Sequence, residues 1–330
     1  MNAVPVPGRR YDVLAMGRSS LDLYAQEVGR PITEVTAFNA YVGGCPTNVS
    51  VGTRRLGLRS AVLTAVGDDQ AGDFVLHFLD REGVDTRYVP RKPGRRTSLV
   101  LLTIQPPDRF PLTFYRDNCA DRELSVADVG RAPVADCRAV FLTGTGLSHQ
   151  PGREATLHAA ESARRHGALV VVDLDYRPDQ WPAADAFAGE MTRLLAGADI
   201  VIGTEEEAAA ATGRTDPAAM VAALAASGPR TVVVKRGARG STIVEGSRTE
   251  DVPPFPVQVL NVLGAGDAFA SGFLFALLGG LPAREAARMG NAVGAIVVTR
   301  HECANFMPTL PEVEAFVRQQ GGWTWPWTSA

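Results

Sequence analysis

The residues with the clearest chemistry are Leu263-Gly264-Ala265-Gly266-Asp267-Ala268-Phe269, which open a long apolar run. Gly264, Ala265 and Gly266 carry little or no side chain, so successive backbone N–H groups lie open at a helix N-terminus. With the positive end of the helix dipole they form an anion site suited to a phosphoryl group. Asp267 falls in the first turn, where its carboxylate can take the proton of a hydroxyl that attacks phosphorus. A Gly-rich turn before a helix-start carboxylate is also an ordinary structural device. No G-K-[ST] follows, so this is not a Walker A loop.

Three further segments bear on the choice. Val42-Gly43-Gly44-Cys45-Pro46-Thr47-Asn48 leads into a helix. Its paired glycines let a ligand approach the backbone, and Asn48 can both donate to and accept from a hydroxyl. Asp22, in GRSSLD, can accept bonds from two sugar hydroxyls, although a turn residue explains it equally. Arg116 follows Phe114-Tyr115, and Arg177 follows Asp173-Leu174-Asp175-Tyr176. Two planar guanidinium donors suit a carboxylate, which a neutral hexose lacks. Ion pairing with Asp117 or Asp175 is the competing role. Cys45 reads first as a small packing residue whose thiol could expose the site to thiol reagents.

These groups need elements to hold them. Strand patterns at 11–16, 60–66, 139–143, 169–173, 200–202, 231–235 and 241–244 alternate with helical patterns near 70–82, 153–166, 186–196, 217–227, 265–278, 283–298 and 311–319. Continuously apolar strands such as LVVVD and TVVVK fit a sheet covered on both faces, and the alternation predicts a doubly wound, mainly parallel sheet. Residues 22–42 and 96–117 instead read as hairpin-like strands, the second with a turn at Pro106, Pro107 and Asp108. Such β excursions on an α/β core form lids or oligomer surfaces. The 321–330 stretch holds three of the four tryptophans and reads as an extended tail with its rings on the surface.

The chain has 330 residues, 45% hydrophobic and 21% charged, with 33 Lys+Arg against 36 Asp+Glu for a net charge of -3. That excludes a disordered chain and offers no field for a nucleic acid. The four cysteines are too scattered for a zinc cluster or disulfide framework, which predicts free thiols in a reducing compartment. No apolar stretch has the ~20 residues of a membrane span, and the N-terminus has no signal-peptide core. A cytoplasmic protein is expected. His149, His158 and His166 do not share a helix face, so no metal site is expected from them. A hydrogen-bonding role is expected for His301 and a packing role for Cys303.

In this order and spacing, GG-x-x-x-N at 43–48, V-G-D-D at 66–69 and G-A-G-D-A-F at 264–269 resemble the PfkB (ribokinase-like) carbohydrate kinases, over about residues 11–310. The resemblance implies a single domain over 1–330, with a three-layer α/β/α fold and a small β lid from about 18–42 and 96–118 that often forms a homodimer interface. It also implies ATP-dependent, magnesium-assisted phosphorylation of a primary sugar hydroxyl. Asp267 then matches the catalytic base, and Gly264, Ala265 and Gly266 the anion hole. Asp22, Gly43, Gly44 and Asn48 match the sugar-binding positions. Lys235, Gly237 and Gly240 match the loop beside the nucleotide, and Asn291 a position facing the adenine. Glu206 matches the glutamate of an N-x-x-E element that reaches magnesium through water, with Gly203 in place of the Asn. Asn261 stands where many members carry an Asp that supports a monovalent cation, so potassium activation is not assumed.

Tyr115, Arg116 and Arg177 match the positions where kinases of keto-deoxy sugar acids bind their ligand. Segments such as FYRDNCADREL, DLDYRPDQW and NVLGAGDAF narrow the resemblance to a branch whose acceptor is 5-dehydro-2-deoxy-D-gluconate, phosphorylated on C6. The alternatives are 2-keto-3-deoxygluconate or fructose as acceptor, and a non-catalytic sugar or nucleotide sensor. A Rossmann dehydrogenase lacks its G-x-G-x-x-G, because the first strand ends in Met16-Gly17-Arg18-Ser19.

Overall fold

The computed structural model describes residues 8–105, 110–300 and 304–321. The expected turn at Pro106, Pro107 and Asp108, the residues His301 and Cys303, and the tail from 322 onward lie outside the described residues. In chain order the strands are β1 (Tyr11–Met16), β2 (Ser20–Ala25), β3 (Phe38–Gly43), β4 (Ser60–Leu63), β5 (Val66–Gly67), β6 (Arg91–Lys92), β7 (Ser98–Leu102), β8 (Leu112–Tyr115), β9 (Cys137–Thr143), β10 (Leu169–Asp173), β11 (Ile200–Thr204), β12 (Thr231–Lys235), β13 (Ser241–Glu245) and β14 (Arg248–Val252). The main sheet has the order β14-β13-β12-β11-β10-β9-β1-β4. Its strands are parallel from β4 to β12, and β13 and β14 continue it antiparallel.

Ten helices lie among the described residues: α1 (Cys45–Arg55), α2 (Gln70–Arg81), α3 (Val126–Arg131), α4 (Gly152–Arg165), α5 (Ala184–Leu195), α6 (Glu205–Thr212), α7 (Pro217–Ala226), α8 (Ala265–Leu278), α9 (Ala283–Val297) and α10 (Leu310–Gln320). Alternate strand residues feed two separate cores. Val13, Phe141, Val171 and Val233 pack with α1, α2, α8, α9 and α10. Leu14, Leu142, Val172 and Val234 pack with α3 to α7 on the opposite face. Period-2 alternation in strands apolar on both sides gives the expected three-layer α/β/α arrangement.

A second sheet, of order β3-β2-β7-β8, stands apart from the main one. Its β2–β7 pairing is parallel and its two outer pairings antiparallel. The strand expected at 60–66 is two strands. β4 stays on β1, whereas β5 turns away to pair with β6. The break falls where Gly67 is pressed against the Arg95 carbonyl, which a Cβ would meet at 2.6 Å.

Candidate active site

Parallel strands that point the same way deliver their C-terminal ends, and the residues just beyond, to one edge of the sheet. Arg18 follows β1, Thr145 follows β9, Asp173 ends β10 with Asp175 and Arg177 beyond it, Glu207 follows β11, and Lys235 ends β12. The N-terminus of α8 points to the same edge. Gly264 caps it in the left-handed conformation at φ 78°, which bends the chain so that the next amides face outward. A Cβ on Gly266 would stand 3.0 Å from Lys235 Nζ. The ammonium therefore sits against the amide cradle, and both attract an anion. Lys235 also donates to Asp173 Oδ2 at 3.0 Å, and that pairing holds it charged and raises its pKa despite burial.

Asp267 is half-buried, and desolvation raises its carboxyl pKa. Two donors oppose the rise, the Asn48 amide and the Cys45 thiol. Asn48 Nδ2 donates to Asp267 Oδ2 at 2.6 Å, and the buried Asn48 Oδ1 has no partner of its own. An orphaned buried acceptor beside a half-buried carboxylate fits a ligand hydroxyl. Burial likewise pushes Asp22 up to about 6, with Arg18 and a 2.6 Å bond from Ser20 Oγ acting against it. Gly43 is required there, because a Cβ would meet Asp22 Oδ2 at 1.9 Å. The carboxylate lies flat against that backbone.

The remaining expected residues divide. Arg177 pairs with Asp175 at 3.0 Å, in the electrostatic reach of Glu207 and Asp267, and stays at the site. Arg116 is held at 2.6 Å by the buried Asp121 and donates to Gln180 Oε1 at 2.5 Å. It lines a cavity of about 390 Å³ with Phe114, Arg122, His149, Gln180 and Trp181. Tyr115 is opposite Leu99 in the register and 55% exposed, so it lies on the other face of the lid from Asp22 and Phe114. Gly237 and Gly240 flank the turn after β12, and a Cβ on Gly240 would meet the Val252 carbonyl at 2.2 Å. Asn291 donates to that carbonyl and to Pro253 O, so loop and helix share one wall.

Glu206 is exposed, and the acidic side chain whose charge reaches Lys235 and Arg177 is Glu207, one residue further. Glu207 closes a capping box with Thr204, accepting from Thr204 N at 2.7 Å. The same geometry draws in Cys45, read from sequence as a packing residue, and Arg18, which carried no reading. The G-R-S-S stretch between β1 and Asp22 was the available signal for Arg18.

Open amides and a lysine at the start of α8, the half-buried Asp267 carboxylate beside them, and Asp22 and Asn48 near the second sheet are an arrangement suited to phosphoryl transfer to a hydroxyl. The sequence profile described as pfkB family carbohydrate kinase matches residues 11–310, and the chain belongs to that family. The chain is 37% identical over 320 residues, 95% of its own length and 97% of the relative's, to 5-dehydro-2-deoxygluconokinase of Shouchella clausii. Among solved structures it is similar to the PfkB protein from Polaromonas sp. JS666, with a TM-score of 0.82 and 29% identity over 92% of this chain and 99% of that one. Fructokinase with bound ATP from Xylella fastidiosa matches at 0.84 and 27% over 94% and 98%. The three-layer fold is therefore ribokinase-like, with no described helix long and apolar enough to cross a membrane.

Proposed function

We propose that the chain transfers the γ-phosphoryl group of ATP to the C6 hydroxyl of 5-dehydro-2-deoxy-D-gluconate, a step of inositol catabolism in the cytoplasm. The observation that carries the reading is the cradle at Gly264, Ala265 and Gly266 beside Lys235, with the half-buried Asp267 in the first turn of the same helix. The identity of 37% with a 5-dehydro-2-deoxygluconokinase supports the acceptor. The donor set fits a triphosphate, and the acids nearby fit a magnesium ion held through phosphate oxygens and water rather than by a protein cage. Glu207, rather than Glu206, is the residue we assign to that water network.

When bound, ATP supplies the phosphoryl group and magnesium neutralises charge on its phosphates. Asp22, Gly43, Gly44 and Asn48 hold the sugar so that its C6 oxygen meets Asp267. Asp267 takes the hydroxyl proton as the new O–P bond forms and the bond to ADP breaks. The 264–266 amides and Lys235 stabilise the equatorial oxygens of the transferring group. The lid sheet excludes water that would otherwise accept the phosphoryl group. Gly237, Gly240 and Asn291 form the nucleotide wall.

The chain is also proposed to work as a single-domain kinase and as a homodimer through its lid. The outward lid face carries Leu21, Leu23, Leu99 and Leu101 beside the exposed Phe38 and Tyr115, an apolar surface that water does not favour. The decisive experiment is magnesium-ATP-dependent ADP release with 5-dehydro-2-deoxygluconate, 2-keto-3-deoxygluconate, gluconate, fructose and ribose. Preference for the first is expected. Preference for fructose or ribose overturns the acceptor, and ligand-dependent melting without turnover makes the chain a sensor.

A further inference from the structure

Of the arginines around the site, Arg116 is bound to Asp121 and Gln180, and Arg177 to Asp175. Arg122 approaches Asp117 only at 3.9 Å and donates to the Arg116 carbonyl. Arg18 differs from all three. Its polar partner is the Ser20 hydroxyl at 2.8 Å, and its guanidinium makes no ion pair among the described residues. Its carbon Cζ lies 5.3 Å from the centre of the Phe114 ring, on the lid face that Asp22 shares.

The backbone fixes this placement. Gly17 has φ 144°, and a Cβ there would meet Pro46 at 2.9 Å. A Cβ on Gly44 would meet the Arg18 carbonyl at 2.2 Å. Arg18 is thus pressed against the Gly43–Asn48 turn that reads the sugar. Its guanidinium extends the hydrogen-bonded chain Arg18–Ser20–Asp22, and the residue lines a crevice with Gly17, Arg116 and Thr145.

We propose that Arg18 binds the acceptor's carboxylate and sets the preference for a sugar acid over a neutral ketohexose. This rests on the sugar-acid kinase reading above. With the C6 hydroxyl at Asp267, the carboxylate of a linear aldonate is at the far end of the sugar, and Arg18 is joined through Ser20 to Asp22, the residue assigned to the sugar hydroxyls between. A planar guanidinium over an aromatic ring, in no ion pair among the described residues, is the group suited to receive it. The two arginines singled out from the sequence already spend their strongest contacts on Asp121 and Asp175. The competing role for Arg18 is to neutralise Asp22 through Ser20, which would affect every acceptor alike.

The test compares wild type, Arg18→Gln and Arg18→Lys with 5-dehydro-2-deoxygluconate and fructose, each as substrate or competitive inhibitor. Loss of a charge-assisted contact should lower kcat/KM for the acid by about ten- to a hundredfold in Arg18→Gln, mainly through KM. The acid-to-fructose preference should shrink by the same factor, with the KM for ATP unmoved. Arg18→Lys keeps the charge but not the fork, and should fall between. If Arg18→Gln does not fold, a selective loss on the acid in Arg18→Lys carries the proposal. A preference that survives substitution, or an equal loss on both acceptors, overturns it. A wild-type chain without preference for the acid overturns the acceptor reading and this proposal together, and is seen before any variant is made.

Discussion

Asn48 Nδ2 donates to Asp267 Oδ2 across 2.6 Å, joining the first turns of two helices whose residues stand 219 apart in the chain. One turn further along each helix, Gly52 faces Ser271, and a Cβ on Gly52 would meet Ser271 Oγ at 2.3 Å. The missing side chain lets α1 and α8 approach closely enough for the amide to reach the carboxylate. Asn48 thus fixes one oxygen of Asp267.

From this geometry, Asp267→Asn should keep the fold and lose the base. Turnover should fall by roughly two to four orders of magnitude, the usual scale for an acid–base group, with a smaller change in the KM for ATP. Steady-state kinetics with a parallel melting curve check it. Turnover near wild type would remove Asp267 from its role.

Asp22 gives a pH dependence with a defined sign. Its carboxyl is pushed up to about 6 by burial, so it binds its proton more tightly folded than unfolded. The charged form is therefore lost as pH falls through about 6, and with Asp22 in the proposed sugar-binding role the KM for the acceptor should rise there. The stability sign is opposite, because the charged form is the one penalised by burial. At neutral pH Asp22→Asn should stabilise the fold by about 1–3 kcal/mol while weakening acceptor binding. Thermal melting at pH 5 and 7.5 reads this directly. A variant less stable than wild type at pH 7.5 would contradict it.

The layout of the site was legible where local rules act alone. The amide cradle at 264–266, the Gly43-Gly44 turn and the apolar core strands follow from side-chain absence and period-2 patterns. What escaped depends on packing. β14, of sequence RTEDV, is a polar edge strand recognisable only through its pairing with β13. Glu206 is exposed while the charge of Glu207 reaches Lys235, a difference of helix phase that the capping box with Thr204 fixes. Tyr115 and Phe114 are adjacent in sequence and opposite in the lid, so a slip of one residue exchanges the faces.

Cys45 stands near enough to Asp267 for its thiol to act against the rise in the carboxyl pKa, and burial raises the thiol's own pKa so that it stays protonated. Cys45→Ala removes that donor, and the acid limb of the kcat–pH profile should move upward by about 0.5–1 pH unit. Cys45→Ser keeps a donor and should leave the limb close to wild type. Equal profiles for all three chains would reduce Cys45 to packing.

Arg116 is the partner of an Asp121 side chain with no exposure, whose Oδ1 has no hydrogen bond. Removing the cation leaves an uncompensated buried charge, so Arg116→Ala should cost about 3–5 kcal/mol of stability. Arg116→Met combined with Asp121→Leu should recover much of that loss. Denaturant unfolding of the single and double variants decides. A single variant as stable as wild type would return Arg116 to a purely ligand-binding role.

The lid sheet is apolar on both faces. Inward, Tyr24, Val100, Leu102 and Ile104 form a cluster that also contacts Leu263, beside the cradle. Outward, Leu21 pairs in register with Leu99 and Leu23 with Leu101, and Tyr115 lies beside Leu99 at 55% exposure. A four-stranded sheet whose outer leucines are only half-buried gains stability once that face is covered, and a second copy of the same face provides a two-fold match. Leu99→Asp places a charge at the centre of that surface without touching the inner cluster. Sedimentation velocity should show wild type as a dimer and Leu99→Asp as a monomer, and the monomer should bind the acceptor more weakly because its lid loses support. A wild-type monomer, or a dimer indifferent to the substitution, would show that the outer face is not the interface.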